Sequence, residues 1–537
     1  MRESREPMTN GADRLLATLE HNDIEVCFAN PGTSEMHFVA SLDKATKIRG
    51  VLGLFEGTVT GAADGYSRMT DRPAATLLHL GPGLANGLSN MHNALRARAG
   101  IVNVIGDHAT YHRDLDAPLT SDIEGTARPF SHWVRSSPSP DTIAADTADA
   151  ISQAEAGRVA SLILPADTAW NPVTGDPAVP TAAALPRPVL DERVIAAAAK
   201  RLRTSGARTA ILMGGRALRA DQLAVAGRIA AATGAHLLSD TFAPRTERGA
   251  GRVTTLKVPY PVGPSQALLA DFDALILVDS KEPVAFFAYP DKSSVLTAAG
   301  TTFFEICPRE GDALAALEAL AEAVGATGAD VPGDGIASGA AEGRGQIAEL
   351  SLPGMPSGTI TPEKISAFLG NAIPEGAIVV DESLTTGGSF WAQTATARPH
   401  DWFSGTGGSI GYAMPVAAGA AIACPDRPVI TLESDGSGLY QPQALWTQAR
   451  EGLNVVTLIF NNAKYQILRN EMANVGVPDF GPKASALLDL SDPVPNWSAI
   501  SEGMGVPARR VETVEQLDAA FSEALAEPGP RLIEVMV

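Results

Sequence analysis

Cysteine is nearly absent. The 537 residues hold three, Cys27, Cys307 and Cys424, each alone in an apolar stretch. Without a CxxC pair or a ligand-gathering spacing, a disulfide scaffold and a cysteine zinc site are excluded. Buried free thiols in a reducing compartment remain. Basic residues are also short: 41 Lys plus Arg face 61 Asp plus Glu, a formal net charge of −20. Nucleic acid and anionic membranes need basic patches, so neither is expected as a partner. No run of about 18 uncharged apolar residues occurs, and the opening MRESREPMTNGADRLL lacks an apolar core. A cytoplasmic protein is the expectation. The 45% hydrophobic and 19% charged content suits a globular enzyme, with about three domains at roughly 100–200 residues each.

Short apolar runs alternate with helix-length segments along the whole chain. Strands are expected at 25–29, 51–55, 75–80, 101–105 and 161–164; at 209–213, 236–238, 274–278 and 302–306; and at 377–380, 429–432, 455–460 and 532–537. Runs of this kind predict βα units and parallel sheets. Two stretches read as linkers: 170–188, rich in Pro and Ala, and 325–345, rich in Gly and Ala. The fold class predicted is α/β, with three doubly wound parallel-sheet domains. Their expected bounds are 1–172, 188–325 and 361–537, with a linker over 326–360. The literal Gly333-Asp334-Gly335 in the second linker follows no strand and is read as linker.

The run VITL at 429–432 ends in Glu433-Ser434-Asp435-Gly436-Ser437-Gly438. Alone, such an Asp-Gly is a turn. Here a helical pattern follows, expected to start near Tyr440, and then the run 455–460, which ends in Asn461-Asn462. A strand–helix–strand unit of this length returns the chain to the same sheet edge. That predicts Asp435 and Asn462 at neighbouring strand tips, where open α/β sheets bind ligands. A carboxylate and an amide oxygen suit Mg²⁺, whose shell is completed by water and phosphate. The small residues around Asp435 would let backbone approach a diphosphate.

The pattern SDGSG…NN resembles the thiamine-diphosphate motif of the family that includes acetolactate synthase, benzoylformate decarboxylase and pyruvate decarboxylase, with Ser434 in place of the usual first glycine. The resemblance runs from about residue 10 to 537 and implies thiamine diphosphate and Mg²⁺ as cofactors. It makes the backbone carbonyl of Lys464 the third protein ligand beside Asp435 and Asn462, and puts Gly436, Ser437 and Tyr465 at the cofactor. Glu56, in FEGTVTGAADGY, can be a partner for a helix dipole. By resemblance it is the carboxylate that hydrogen-bonds the aminopyrimidine ring. Asn30, Pro31, Gly32 and Thr33 look like the family's Asn-Pro-Gly loop, and Thr385 and Thr386 like its diphosphate contacts. Gly408 resembles the backbone contact to the pyrimidine, and Ile410 the aliphatic wedge that bends the cofactor.

The implied substrate is a 2-oxo acid, cleaved or ligated at a C–C bond, as in acetolactate synthase large-subunit-like proteins. His79 looks like the catalytic histidine of benzoylformate decarboxylase. His108 and His112, four apart, could share a helix face and contact substrate or sit in a loop; zinc lacks a third ligand. Gln466 and Ile467 are expected to line the substrate pocket. Ala288 stands where benzoylformate decarboxylase has a second histidine. The middle third lacks the glycine and arginine segments of flavin-binding relatives, so FAD is not expected. A homodimer or homotetramer with the site at the subunit interface is implied. A 2-hydroxyacyl-CoA lyase and a catalytically silent regulatory homologue stay open as alternatives. A nicotinamide oxidoreductase lacks its fingerprint, since MGGRALR at 213–219 is no GxGxxG.

Overall fold

The computed structural model describes residues 9–175, 178–328 and 343–537; Gly333-Asp334-Gly335, read as linker, lies outside them. The described residues build three sheets. The first contains β1 Val26–Asn30, β2 Arg49–Leu52, β3 Ala74–Leu78, β4 Ile101–Asp107, β5 Trp133–Ser136 and β6 Val159–Pro165. All are parallel, in the order β2-β1-β3-β4-β6-β5. The second contains β7 Thr209–Met213, β8 His236–Ser239, β10 Leu256–Lys257, β11 Ala274–Val278 and β12 Thr302–Cys307, also parallel, in the order β10-β8-β7-β11-β12. Helices cover both faces, so the central strands are buried throughout, as doubly wound parallel sheets require.

The third sheet is parallel apart from one edge strand. Its strands β13 Ile378–Glu382, β14 His400–Ser404, β15 Val429–Ser434, β16 Val455–Asn461, β17 Ala508–Val511 and β18 Arg531–Met536 run parallel. A seventh, β9 Thr246–Arg248, comes from the chain between β8 and β10 and pairs antiparallel with β14. A strand from the middle segment thus closes the edge of the third sheet.

The helix Glu56–Thr70 of the first domain packs on Ala413–Ala423 of the third within one chain. Their contact is close because the facing residues are small. A Cβ added to Gly65 would lie 2.0 Å from the Val416 carbonyl oxygen, and one on Gly419 would lie 1.8 Å from that of Ala62. Around this crossing sits a buried amide cluster. Asn90 Nδ2 donates to the Gly57 carbonyl at 2.9 Å and to Gln441 Oε1 at 3.3 Å, and Asn93 Nδ2 donates to the Ser409 carbonyl at 2.8 Å. Among the described residues no helix is long and apolar enough to cross a membrane. Cys27 and Cys307 are buried and Cys424 half-buried, all free.

Candidate active site

β15 and β16 are neighbours in register, Ser434 opposite Phe460, so the residues that follow them emerge side by side. Asp435 is 1% exposed. Its Oδ2 accepts the Ala463 N–H at 2.7 Å and its Oδ1 the Gly436 N–H at 3.0 Å. Ala463 directly follows Asn462, whose Oδ1 accepts from the Lys464 N–H at 3.1 Å. Ala463 holds a left-handed φ of 54°, which turns the chain sharply after the strand. A Cβ on Gly436 would meet the Tyr465 ring at 2.5 Å, and one on Gly438 the Trp497 ring at 2.8 Å, so both glycines are dictated by close approach.

Burial pushes the Asp435 carboxyl up to about 6, and only backbone N–H groups pull it back. A buried acid at a strand tip, with no cationic side chain hydrogen-bonded to it among the described residues, suits a metal cation, whose charge would replace the lost hydration. Among the described residues no cluster of three His, Cys, Asp or Glu side chains offers an alternative metal site. The set Asp435, Asn462 and the Lys464 carbonyl is an all-oxygen donor set of the kind Mg²⁺ takes.

The helix expected near Tyr440 begins earlier and in two pieces. One turn, Asp435–Gly438, starts at the acid itself, and the longer helix is Gln443–Glu451. Pro442 lacks an N–H and disfavours helical backbone at Gln441, which splits them. Thr385 and Thr386 follow β13, the neighbour of β15, at the same sheet edge; Thr386 is buried and Thr385 half-buried. Gly408 has φ of 73°, and its Cα faces the Phe286 ring; Ile410 is half-buried. Tyr465 caps the helix Gln466–Asn474, which carries the half-buried Gln466 and Ile467.

Two buried glutamates beside this edge escaped the sequence reading. Glu382 and Glu433 are register partners on β13 and β15. Glu382 accepts the N–H groups of Gly411, Tyr412 and Ala413 at 2.6, 2.9 and 2.9 Å, capping the helix that follows. Glu433 takes the Ser434 N–H at 3.1 Å and the Ser437 hydroxyl, while its Oε2 has no hydrogen-bond partner among the described residues. Burial raises both carboxyls, and their mutual repulsion raises Glu433 further.

In the first domain, Glu56 is the first residue of its helix rather than the end of a strand, because β2 stops at Leu52. It is 6% exposed. Asn86 Nδ2 donates to its Oε2 at 3.0 Å, and Gly83 leaves the room beside Oε1 that a Cβ would fill at 2.8 Å. His79 stands just before the helix Leu80–Ala97. Its Nδ1 lies 2.8 Å from Oε2 of Glu35, an acid the sequence reading passed over. Glu35 is fully buried, and its Oε2 also accepts the Gly32 N–H at 2.8 Å. A Cβ on Gly32 would fall inside the His79 ring, at 2.2 Å from Nδ1, so the Asn30-Pro31-Gly32 loop is glycine where the imidazole presses on its backbone. Thr33, next in that loop, is exposed.

His108 and His112 do not share an α-helix. His108 lies in the loop after β4, and His112 in a short 3₁₀ turn, Thr110–Leu115, that a left-handed Asp116 ends. Their rings still approach, with centroids 5.3 Å apart. The His108 Nε2 is buried without a hydrogen-bond partner among the described residues.

The model of the thiamine pyrophosphate enzyme N-terminal binding domain matches residues 9–127, and that of the C-terminal binding domain residues 386–535. A protein of Mycobacterium tuberculosis named "Putative acetolactate synthase large subunit IlvX" is 48% identical over 98% of this chain and 99% of its own. Benzoylformate decarboxylase of Pseudomonas aeruginosa is 29% identical over 96% and 97%. The thiamine diphosphate-dependent 4-hydroxybenzoylformate decarboxylase of Rhodococcus jostii RHA1 shares the fold, with a TM-score of 0.81 over 98% and 99% of the two chains at 23% identity. Two matched domains and a relative nearly half identical end to end lead to one conclusion: the chain belongs to the thiamine pyrophosphate enzyme family, among proteins related to acetolactate synthase and benzoylformate decarboxylase.

Proposed function

We propose that this protein is a thiamine-diphosphate- and Mg²⁺-dependent enzyme that cleaves or forms a C–C bond at a 2-oxo acid, as a decarboxylase or an acetolactate-synthase-like carboligase. The observation that carries the reading is the buried Asp435 carboxylate hydrogen-bonded beside Asn462 at adjacent strand tips. The names of the relatives support the substrate class.

Asp435, Asn462 and the Lys464 carbonyl would hold Mg²⁺ against the diphosphate, with Gly436, Ser437, Thr385 and Thr386 donating to its oxygens and Tyr465 packing beside it. Asn30, Pro31, Gly32, Thr33 and the Gly408 backbone would contact the pyrimidine half, and Ile410 would fix the bend between the rings. When bound, the cofactor supplies an acidic ring carbon and a sink for the electrons released as carboxylate leaves. Glu56 would hold a proton at a pyrimidine nitrogen; its burial and its Asn86 donor keep the carboxylate in place for that exchange. His79 would move protons at the substrate. Glu35 holds its Nδ1, which leaves Nε2 as the working nitrogen. His108 and His112 would contact substrate or acceptor, and Gln466 and Ile467 would line the pocket. A homodimer or homotetramer with the site shared between subunits belongs to the same reading.

The test is a panel of 2-oxo acids, aliphatic and aryl, assayed for CO₂ release with product masses in the presence of thiamine diphosphate and Mg²⁺. CO₂ with an aldehyde identifies a decarboxylase, and CO₂ with a longer hydroxyketone or hydroxyacid a carboligase. Turnover that persists after removal of both cofactors would overturn the reading, as would none across the panel.

A further inference from the structure

Behind the expected diphosphate loop lies a second, separate cavity of about 290 Å³. It is walled on one side by β9, the turn after it and β10, and on the other by Trp391 and the residues up to Thr396. Two cations converge on one indole there. The Arg248 guanidinium stands 3.8 Å over the Trp391 ring centroid and the Lys257 ammonium 4.9 Å from it, with the Phe242 ring 6.0 Å from the same ammonium.

Neither cation has an ion-pair partner among the described residues. Arg248 spends its donors on neutral oxygens, the Thr394 hydroxyl at 3.0 Å and the Trp391 carbonyl. Two acids lie close enough to matter. Glu247 lines the cavity but is committed to Arg245 at 3.0 Å and to the Ala220 N–H at 3.1 Å. Asp381 acts on both cations only through space, and its Oδ1 is held by the Ser383 N–H at 3.0 Å and the Ser383 hydroxyl. Two positive charges therefore face one unbridged carboxylate, in a chain with twenty excess acids.

An uncompensated cation drawn out of water is costly unless paired, and here Arg248 is buried and Lys257 half-buried. Loss of hydration accordingly pulls Arg248 down to about 9 and lowers Lys257. Stacking on an indole offsets only part of that cost. An anion between the two heads would remove the imbalance. Arg252 also lines the cavity, and the remaining lining is apolar or hydroxylic: the indole, Leu223, Val253, Leu256, two alanines and several threonines. That lining suits a ligand with one compact anionic end and an apolar body.

We propose that this cavity binds a small organic carboxylate, its anionic end between Lys257 and Arg248 and its apolar body against Trp391. Trp391 lies five residues beyond Thr386, so the ligand would sit directly behind the loop expected at the diphosphate, as a regulatory or acceptor subsite outside the metal centre.

The test uses the protein loaded with thiamine diphosphate and Mg²⁺, titrated with benzoate, acetate or inorganic phosphate while tryptophan fluorescence and heat are recorded. Benzoate is expected to saturate, acetate to bind at least tenfold more weakly, and phosphate not to compete. Lys257→Met should weaken benzoate at least tenfold with an unchanged melting profile, and Trp391→Phe should abolish the fluorescence change while retaining the heat. Benzoate affinity equal in wild type and Lys257→Met would overturn the proposal, because the ligand would then lie elsewhere. So would phosphate binding as tightly as benzoate, or no saturable binding at all. None of these readouts depends on turnover, so they stand apart from the assignment of the reaction.

Discussion

The crossing of helices Glu56–Thr70 and Ala413–Ala423 allows a sharp test, because the same substitution should have opposite effects at two helical glycines. At Gly419 an added Cβ would sit 1.8 Å from the Ala62 carbonyl oxygen and 2.6 Å from its carbon. An ordinary contact there is about 3.4 Å, so the helices must part by more than 1 Å or the backbone must bend. The obstacle is main chain, not a flexible side-chain tip. Overpacking of this kind costs roughly 1–3 kcal/mol and occasionally more. It is opposed by the ~1 kcal/mol that alanine gains over glycine inside a helix. A main-chain obstacle puts the cost at the upper end of that range, so the Gly419→Ala protein should be destabilised by about 2 kcal/mol net, and by more if the helices cannot part. Gly503 closes the helix Trp497–Gly503, with nothing within 4 Å of an added Cβ among the described residues and no proline after it. There the propensity term acts without a clash, and Gly503→Ala should stabilise by up to about 1 kcal/mol. Scanning calorimetry reads both, at roughly 2–4 °C per kcal/mol for a cooperative unit of about 150–250 residues. Glu56 opens the first of these helices, so Gly419→Ala should also slow any reaction that depends on Glu56, while Gly503→Ala should not. A Gly419→Ala protein that melts with the wild type would refute the packing argument, as would a loss of stability in Gly503→Ala.

Glu56→Gln should keep cofactor binding but lose proton exchange at the thiazolium carbon; unchanged exchange by NMR would remove Glu56 from its assigned role. Asp435→Ala should weaken Mg²⁺-dependent cofactor binding at least a hundredfold by calorimetry, whereas Asp334→Ala, in the stretch read from the sequence as linker, should leave it unaltered. Glu433→Gln tests the buried acid pair through pH. Burial raises Glu433 well above 4.5, so the folded chain keeps a proton that the unfolded chain has already lost. Wild-type stability must then fall as pH rises from about 4.5 toward the raised value. The variant cannot titrate there, so its melting temperature relative to wild type should climb between pH 5 and pH 8; a pH-independent difference would count against the pair.

How legible each element was depended on whether its signal was local. β7 Thr209–Met213 and β11 Ala274–Val278 occupy the expected residues because both are continuous buried aliphatic runs. β5 and β17 read WVRS and ARRV, and β9 reads TER; these short, charged edge strands are strands only because a neighbour pairs with them. The neighbouring-tip placement of Asp435 and Asn462 could be anticipated because strand, helix and strand are consecutive. Glu35 could not, since its partner His79 lies 44 residues on and only the fold presses them together. The Glu382–Glu433 pair likewise exists only once β13 and β15 fall into register.

β9 also limits how this protein can be taken apart. A fragment cut near residue 361 would carry the cofactor motif but leave the backbone of β14 without the strand that now satisfies it. An unshielded edge of that kind recruits any strand it meets. The C-terminal portion on its own should therefore self-associate in solution, and a soluble excised version would have to bring the 246–248 stretch along.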